Sequence, residues 1–228
     1  MKSQSTEDYL KAIYQLQEMQ NGEPVSTSTL ASWLGVANAS VTGMVKRFSS
    51  ADPKLVEYEP YTGFVLTDAG EKIALEVIRH HRLIECYLSQ ALGYSWDEVH
   101  EEAERLEHVI SEAMEDRMAQ ALGNPISDPH GDPIPDREGN LHQLNVIPLT
   151  QLAVEQPGTI RRVIGQEPDL LRYLAEQGLV LSAHIKVISK APFNGPISIR
   201  IVNSSETILA LGREVAEKIL IQPSSNTR

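Results

Sequence analysis

Six side chains in the middle of this chain have the types and spacing to hold a metal ion: His81, Glu85, His100, Glu104, Glu107 and His108. An α-helix repeats every 3.6 residues, so positions three or four apart share a face. His81 and Glu85 form one such pair; His100, Glu104, Glu107 and His108 form a second stripe. Imidazoles and carboxylates crowded on two helical faces repel or desolvate one another unless a cation joins them. Metal binding is the chemistry that this pattern points to.

The elements needed to carry these residues can be read along the chain. Leu10, Ile13, Tyr14 and Leu16 are spaced for the buried face of a helix over 6–20, with Ser5 or Thr6 as its N-cap. After the turn signal Asn21-Gly22-Glu23-Pro24 comes a short helix closed by Gly35. A second follows from about Ala39 to Ser49, with Val41, Val45 and Phe48 inward. Two short helices about a glycine turn make a helix-turn-helix. Leu55–Glu59 and Gly63–Leu66 then read as two strands around Pro60-Tyr61-Thr62, which completes a winged helix.

A long helix is expected from Thr67 or Asp68 to about Ala91, ended by Gly93. Ser95-Trp96-Asp97-Glu98 is a capping box opening a further helix that runs to about Leu122. Leu83, Tyr87, Leu88, Val99, Ala103, Leu106, Ile110 and Met114 offer an apolar surface suited to a symmetric dimer. The proline-rich stretch Pro125 to Pro148 reads as an irregular connector. Beyond it, Leu170 to Glu176 is a short helix. Alternating runs at Ile185–Ile188, Ile197–Ile201 and Ile208–Leu211 suggest a small β-barrel, with Arg213 to Lys218 as a late helical turn.

The 228 residues, 41% hydrophobic, suffice for one to three domains. No apolar run reaches the roughly 18 residues of a membrane span, and the polar opening lacks a secretory signal. Cys86 is the sole cysteine, which excludes an intrachain disulfide and favours a reducing compartment; a cytoplasmic location is expected. The net charge is −11, unevenly placed: residues 1–72 carry −3, residues 73–140 carry −10 and residues 141–228 carry +2. Excess acid thus coincides with the candidate ligands and leaves nucleic-acid binding open for the first segment.

In order, these parts resemble the diphtheria toxin repressor family. Thr6–Tyr14 is similar to that family's first helix. His81-Arg82-Leu83-Ile84-Glu85 and His100-Glu101-Glu102-Ala103-Glu104-Arg105-Leu106-Glu107-His108 are similar to its two metal-binding stretches. Asp132-Pro133-Ile134-Pro135 resembles its connector, and Pro148 to Ile221 its SH3-like domain, shared with iron-transport accessory (FeoA) proteins. The resemblance implies an α+β fold of three parts: a winged helix-turn-helix DNA-binding domain over 1–72, an all-α metal-binding and dimerisation domain over 73–140, and an SH3-like small β-barrel over 141–228.

It also implies a cytoplasmic, homodimeric, metal-activated repressor that binds double-stranded operator DNA of metal-uptake genes, with two metal sites per chain. The regulatory site would take Asp8, Glu104, Glu107 and His108; an ancillary site would take His81, Glu85 and His100, with Glu167, or else Asp169, from the last domain. Iron-responsive members carry methionine and cysteine where this chain has Asp8 and Glu104. Carboxylates in place of soft sulfur favour Mn²⁺, with Fe²⁺ as the alternative. Lys11 stands where one manganese-responsive subgroup has a further glutamate, and so departs from that subgroup's paired-ion site. For DNA, the resemblance points to Ala37, Ala39, Ser40, Thr42 and Gly43 facing the major groove, Gly43 replacing a base-reading glutamine. Lys46, Arg47 and Lys54 would meet phosphates, and Tyr61 at the wing tip would reach the backbone. A metalloenzyme is the rival reading, but the chain holds no separate nucleophile or phosphate-cradling loop, so no enzyme activity is expected.

Overall fold

The computed structural model describes residues 3–59, 62–202 and 208–224. Its residues group into two compact units. The first comprises Met1–His81, Leu106–Ser111 and Pro135–Leu141; the second comprises Arg82–Arg105, Glu112–Ile134 and His142–Arg228.

In the first unit, helix α1 (Gln4–Met19) buries Leu10, Ile13 and Leu16 along one face. It starts two residues earlier than its apolar spacing suggests, with Ser3 in extended conformation at the N-cap. Helix α2 (Thr27–Leu34) opens on Ser26, whose hydroxyl accepts the Thr29 N–H, and closes on Gly35 in the left-handed region. Helix α3 (Asn38–Ser49) turns Val41, Val45 and Phe48 inward. Strands β1 (Val56–Glu59) and β2 (Gly63–Leu66) pair antiparallel as the wing, and Val25 bridges to Phe64 beside them. Gly63 has φ +126°, and a Cβ there would stand 2.6 Å from the Val25 carbonyl oxygen, so only glycine lets the wing close on that segment. Leu10, Ile13, Leu30, Val41, Val45, Phe48, Val56 and Phe64 form the shared core. The expected winged helix is present.

Helix α4 (Asp68–Leu92) follows, ended by Gly93 at φ +75°. Glu98 then accepts both the N–H and the O–H of Ser95, the expected capping contact before α5. The single helix expected from there to about Leu122 is instead two: α5 (Val99–Leu106) and α6 (Glu112–Ala121), with Glu107, His108 and Val109 in a turn between them. Ser111 followed by Glu112 and Glu115 explains the restart, since a small hydroxyl residue and first-turn acids favour a new helix N-terminus. Of the apolar residues assigned to a dimer face, Leu83, Leu88, Val99 and Ala103 are buried within the chain. Leu106 and Met114, with Val109, remain exposed.

In the second unit, Leu83, Cys86, Ala119 and Ile134 make a small core. The connector contains no helix or strand between Ala121 and Ile147 among the described residues. Beyond it come β3 (Ile147–Pro148), a 3₁₀ turn (Leu149–Gln151), β4 (Pro157–Val163), α7 (Pro168–Glu176), β5 (His184–Lys190), β6 (Ile197–Ile201), β7 (Ile208–Leu211), α8 (Arg213–Lys218) and β8 (Ile219–Pro223). The strands form one antiparallel sheet in the order β3-β8-β4-β5-β6-β7. Alternate residues Ile185 and Val187, Ile197 and Ile199 face its core, joined by Leu171 and Leu174 of α7. No described helix is long and apolar enough to cross a membrane.

Candidate metal centre

Asp8, Glu107 and His108 each offer a donor atom, and these atoms lie within 4.8 Å of one another. Asp8 comes from the first turns of α1, while Glu107 and His108 come from the turn after α5. Breaking the helix at Leu106 is what lets adjacent residues 107 and 108 converge, because on a continuous helix they would diverge by about 100°. His108 Nε2 stands 2.7 Å from Asp8 Oδ1 and 3.2 Å from Glu107 Oε1. Despite those distances this buried nitrogen makes no well-formed hydrogen bond. A nitrogen held against two carboxylates without a proper hydrogen bond is the donor arrangement a cation would complete.

Two α1 residues complete the surroundings. Lys11 Nζ donates to both oxygens of Glu107, at 2.9 and 2.7 Å, and lies 3.3 Å from His81 Nδ1. Glu7 Oε2 lies 2.7 Å from His108 Nδ1. His81 Nδ1 is itself 2.5 Å from Glu107 Oε2, and the neighbouring His80 bonds the Glu107 carbonyl at 3.1 Å. Burial pushes the Glu107 carboxyl upward, but the close approach of the His108 and His81 rings and the Lys11 ammonium outweighs it and holds the group ionised far below the ordinary carboxylate range. Burial likewise disfavours a charged His108, yet Glu107, Glu7 and Asp8 around the ring raise its pKa to about 9.

A second donor group lies in the second unit: Glu85, Asp128 and His130, all buried, again within 4.8 Å of one another. His130 Nε2 donates to the Trp96 carbonyl at 2.7 Å, and the two rings stack at 6.1 Å. Its other nitrogen, Nδ1, faces Glu85 Oε2 at 3.6 Å and has no hydrogen bond. Asp128 Oδ1 accepts the backbone N–H groups of His130 and Asp132, whereas Oδ2 has no hydrogen bond and lies 3.8 Å from Arg82 Nε. Burial, then the charges of Asp132 and Glu85, push the Asp128 carboxyl well up. Burial opposes a charged His130, but Glu85 and Asp128 raise it to about 9. Imidazole fixed through one nitrogen by a carbonyl, with the other aimed at carboxylates, suits a ligand role.

The residues expected for the regulatory set divide between the units. Asp8, Glu107 and His108 meet in the first; Glu104 belongs to the second, where its carboxylate is 3.8 Å from His100 Nε2. The ancillary set divides too. His81 lies in the first unit against Glu107, while His100 Nδ1 is 3.4 Å from Glu85 Oε1 in the second. Glu167 is mostly exposed and paired with Lys218 at 3.2 Å, and Asp169 pairs with Arg172. Reasoning from spacing missed Glu7, Asp128 and His130. The last two sit in the turn Asp128-Pro129-His130-Gly131-Asp132, where three potential donor residues within five were the available signal.

Ala37, Ala39, Ser40, Thr42, Gly43, Lys46, Arg47 and Lys54 are all exposed, on or beside α3. The Thr42 hydroxyl donates to the Asn38 carbonyl at 3.0 Å, so that proton is already engaged within the helix. Tyr61 lies outside the described residues.

Profiles of three protein families match successive parts of the chain. Residues 1–64 match the iron dependent repressor N-terminal DNA binding domain, residues 67–136 its metal binding and dimerisation domain, and residues 147–223 the FeoA domain. An uncharacterized HTH-type transcriptional regulator of Methanocaldococcus jannaschii is 38% identical over 110 residues, 48% of this chain and 86% of that protein. The HTH-type transcriptional regulator MntR of Bacillus subtilis is 36% identical over 111 residues, 49% of this chain and 75% of that protein. A solved manganese-dependent transcriptional repressor in complex with manganese superposes with a TM-score of 0.86 at 35% identity, covering 96% of this chain and all of that one. The chain therefore belongs to the diphtheria toxin repressor family of metal-dependent, DNA-binding transcriptional repressors.

Proposed function

We propose that the protein is a manganese-activated homodimeric repressor of metal-uptake genes, switched by an ion held between α1 and the turn that follows α5. The observation that carries this reading is His108 Nε2, buried and without a well-formed hydrogen bond between Asp8 and Glu107. Asp8, Glu107 and His108 are its core ligands, and Glu104, three and four residues before the other two, is the fourth donor expected from the sequence. Glu85, Asp128 and His130 form a second donor group, which shares Glu85 with the expected ancillary set His81, Glu85, His100 and Glu167.

Ligand chemistry supports manganese over softer ions. Both groups offer carboxylate oxygen and imidazole nitrogen, with no sulfur. Cys86 is buried beside the second group, but burial and the nearby Asp128 and Glu85 carboxylates push its thiol well up, and it donates to the Ser127 carbonyl. A neutral thiol is a poor ligand. Hard oxygen-rich sites suit Mn²⁺; Fe²⁺ is the competitor to test, since intrinsic affinities at a given site favour it.

A bound Mn²⁺ supplies positive charge where two carboxylates meet. Without it, the Asp8 and Glu107 carboxylates repel, while Lys11 on Glu107 and Glu7 and Asp8 on His108 hold α1 to the turn. The ion would join Asp8 to Glu107 as well, which fixes the helix that underlies α2 and α3. In a dimer, that fixes the spacing of two α3 helices against successive major grooves, with the exposed face from Ala37 to Arg47 toward the bases and Lys46, Arg47 and Lys54 on phosphates. Work on chromosomal DNA fits the cytoplasmic location expected from the sequence.

The test is operator binding by gel shift against Mn²⁺, Fe²⁺, Zn²⁺ and Co²⁺ under anaerobic conditions. Retardation should rise with Mn²⁺ and vanish with chelator. Binding indifferent to chelator would contradict metal activation, and activation by Fe²⁺ alone would replace manganese by iron.

A further inference from the structure

We propose that Glu7 is a positioning residue that orients His108 for the ion, an inference that rests on the metal site proposed above. The two ring nitrogens of His108 face different partners. Nδ1 meets Glu7 Oε2 at 2.7 Å, while Nε2 meets Asp8 Oδ1 at 2.7 Å and Glu107 Oε1 at 3.2 Å. Glu7 and Asp8 are consecutive on α1 and so point about 100° apart. The helix therefore brackets one imidazole, with a carboxylate on each side.

An ionised carboxylate can only accept hydrogen bonds. Glu7 thus accepts the Nδ1–H hydrogen bond and fixes Nε2 as the nitrogen facing Asp8 and Glu107, the atom whose proton a cation among those groups would replace. The opposite tautomer would set the Nδ1 lone pair against the Glu7 carboxylate, which is repulsive. Glu7 works from the far edge of the ring and is not itself a donor to an ion at Nε2. It also clasps α1 to the 107–108 turn before any ion arrives, which narrows the positions Asp8 must search.

The plain alternative is that Glu7 serves only as a first-turn acid complementing the α1 dipole. That role predicts an effect on helix stability and none on ion affinity.

The experiment compares full-length wild type, Glu7→Ala and Glu7→Gln in Mn²⁺ calorimetry. The same proteins with ¹⁵N-labelled histidine are titrated with ¹¹³Cd²⁺ and followed by NMR. Wild type should show cadmium coupled to His108 Nε2 with the proton on Nδ1. Glu7→Ala should lose about 10- to 100-fold in Mn²⁺ affinity. Glu7→Gln, whose amide oxygen still accepts the Nδ1–H, should recover most of that loss. Unchanged affinity in Glu7→Ala would leave only the dipole role and overturn the inference. So would cadmium coupled to Nδ1, or a Gln variant as weak as Ala, since either makes Glu7 a ligand. Wild type with no cadmium at His108 removes the site itself, a result distinct from the others.

Discussion

Lys11 offers the sharpest perturbation, because it places a positive charge in the site independently of any metal. Its ammonium is nearly buried and contacts both oxygens of Glu107, itself fully shielded from solvent. In Lys11→Met the shape is roughly kept and the charge is lost. Removing one partner of a buried ion pair leaves the other uncompensated and typically costs about 3–5 kcal/mol. His81 and His108 also touch Glu107, so the lower end of that range applies to metal-free protein. Ion binding changes in the opposite direction. A cation on Glu107 would stand on the order of 5 Å from the ammonium, where an effective dielectric of 20 gives about 3 kcal/mol per pair of unit charges. Even if relaxation and solvent absorb most of this, the variant should bind Mn²⁺ at least about tenfold more tightly, a difference of about 1.4 kcal/mol. Thermal melts with and without Mn²⁺, alongside calorimetry, read both effects: a large loss of stability that saturating metal largely restores. A folded Lys11→Met protein with equal or weaker Mn²⁺ affinity would refute the reasoning.

Three further outcomes follow from the same geometry. His108 is raised to about 9, so in metal-free protein at pH 7 it holds a proton that an ion at Nε2 must displace. Calorimetry in buffers of different ionisation heat should show about one proton released per ion at this site, and affinity rising about tenfold per pH unit up to roughly pH 9. The sign for stability is the reverse: a folded pKa above the unfolded value stabilises metal-free protein fully below about pH 6.5, and this is lost as pH rises through 9. Replacing Asp8 by Met and Glu104 by Cys should shift the activating-ion preference in the gel shift from Mn²⁺ toward Fe²⁺ or Co²⁺, and an unchanged preference would remove the ligand-softness explanation. Asp128→Asn should lower ion stoichiometry by one while leaving metal-free stability equal or higher, since that carboxylate is buried at a cost; Trp96 fluorescence, from the ring stacked on His130, reports the loss.

Much of this architecture is written in local patterns. The Ser26 cap, the Gly35 stop and the inward spacing of Val41, Val45 and Phe48 set α2 and α3, and two β-rich runs set the wing. The donors on α4 and α5 were legible for the same reason, as repeats on helical faces. Other features have no local signature. β4 contains Pro157, Gly158 and paired arginines 161 and 162 at a register shift, which breaks alternation. β8 follows Lys218 of α8 without a turn signal, and its Ile219, Leu220 and Ile221 are all buried, so no period of two appears. The break after Leu106 depends on Ser111 and the acids behind it outweighing an otherwise continuous helical pattern. Asp128 and His130 reach Glu85 because a connector turn folds back on it, and Glu7 meets His108 across 101 residues. Contacts of that range are fixed by tertiary packing, which spacing along the chain does not encode.

An anomalous difference map, recorded above the manganese absorption edge on crystals of the Mn²⁺-loaded protein, tests the central claim most directly. A peak bound by Asp8, Glu107 and His108 Nε2 is expected, with Glu7 on the opposite ring nitrogen and a distinct peak among Glu85, Asp128 and His130. Well-ordered side chains around Asp8 and His108 with no anomalous peak between them would contradict it.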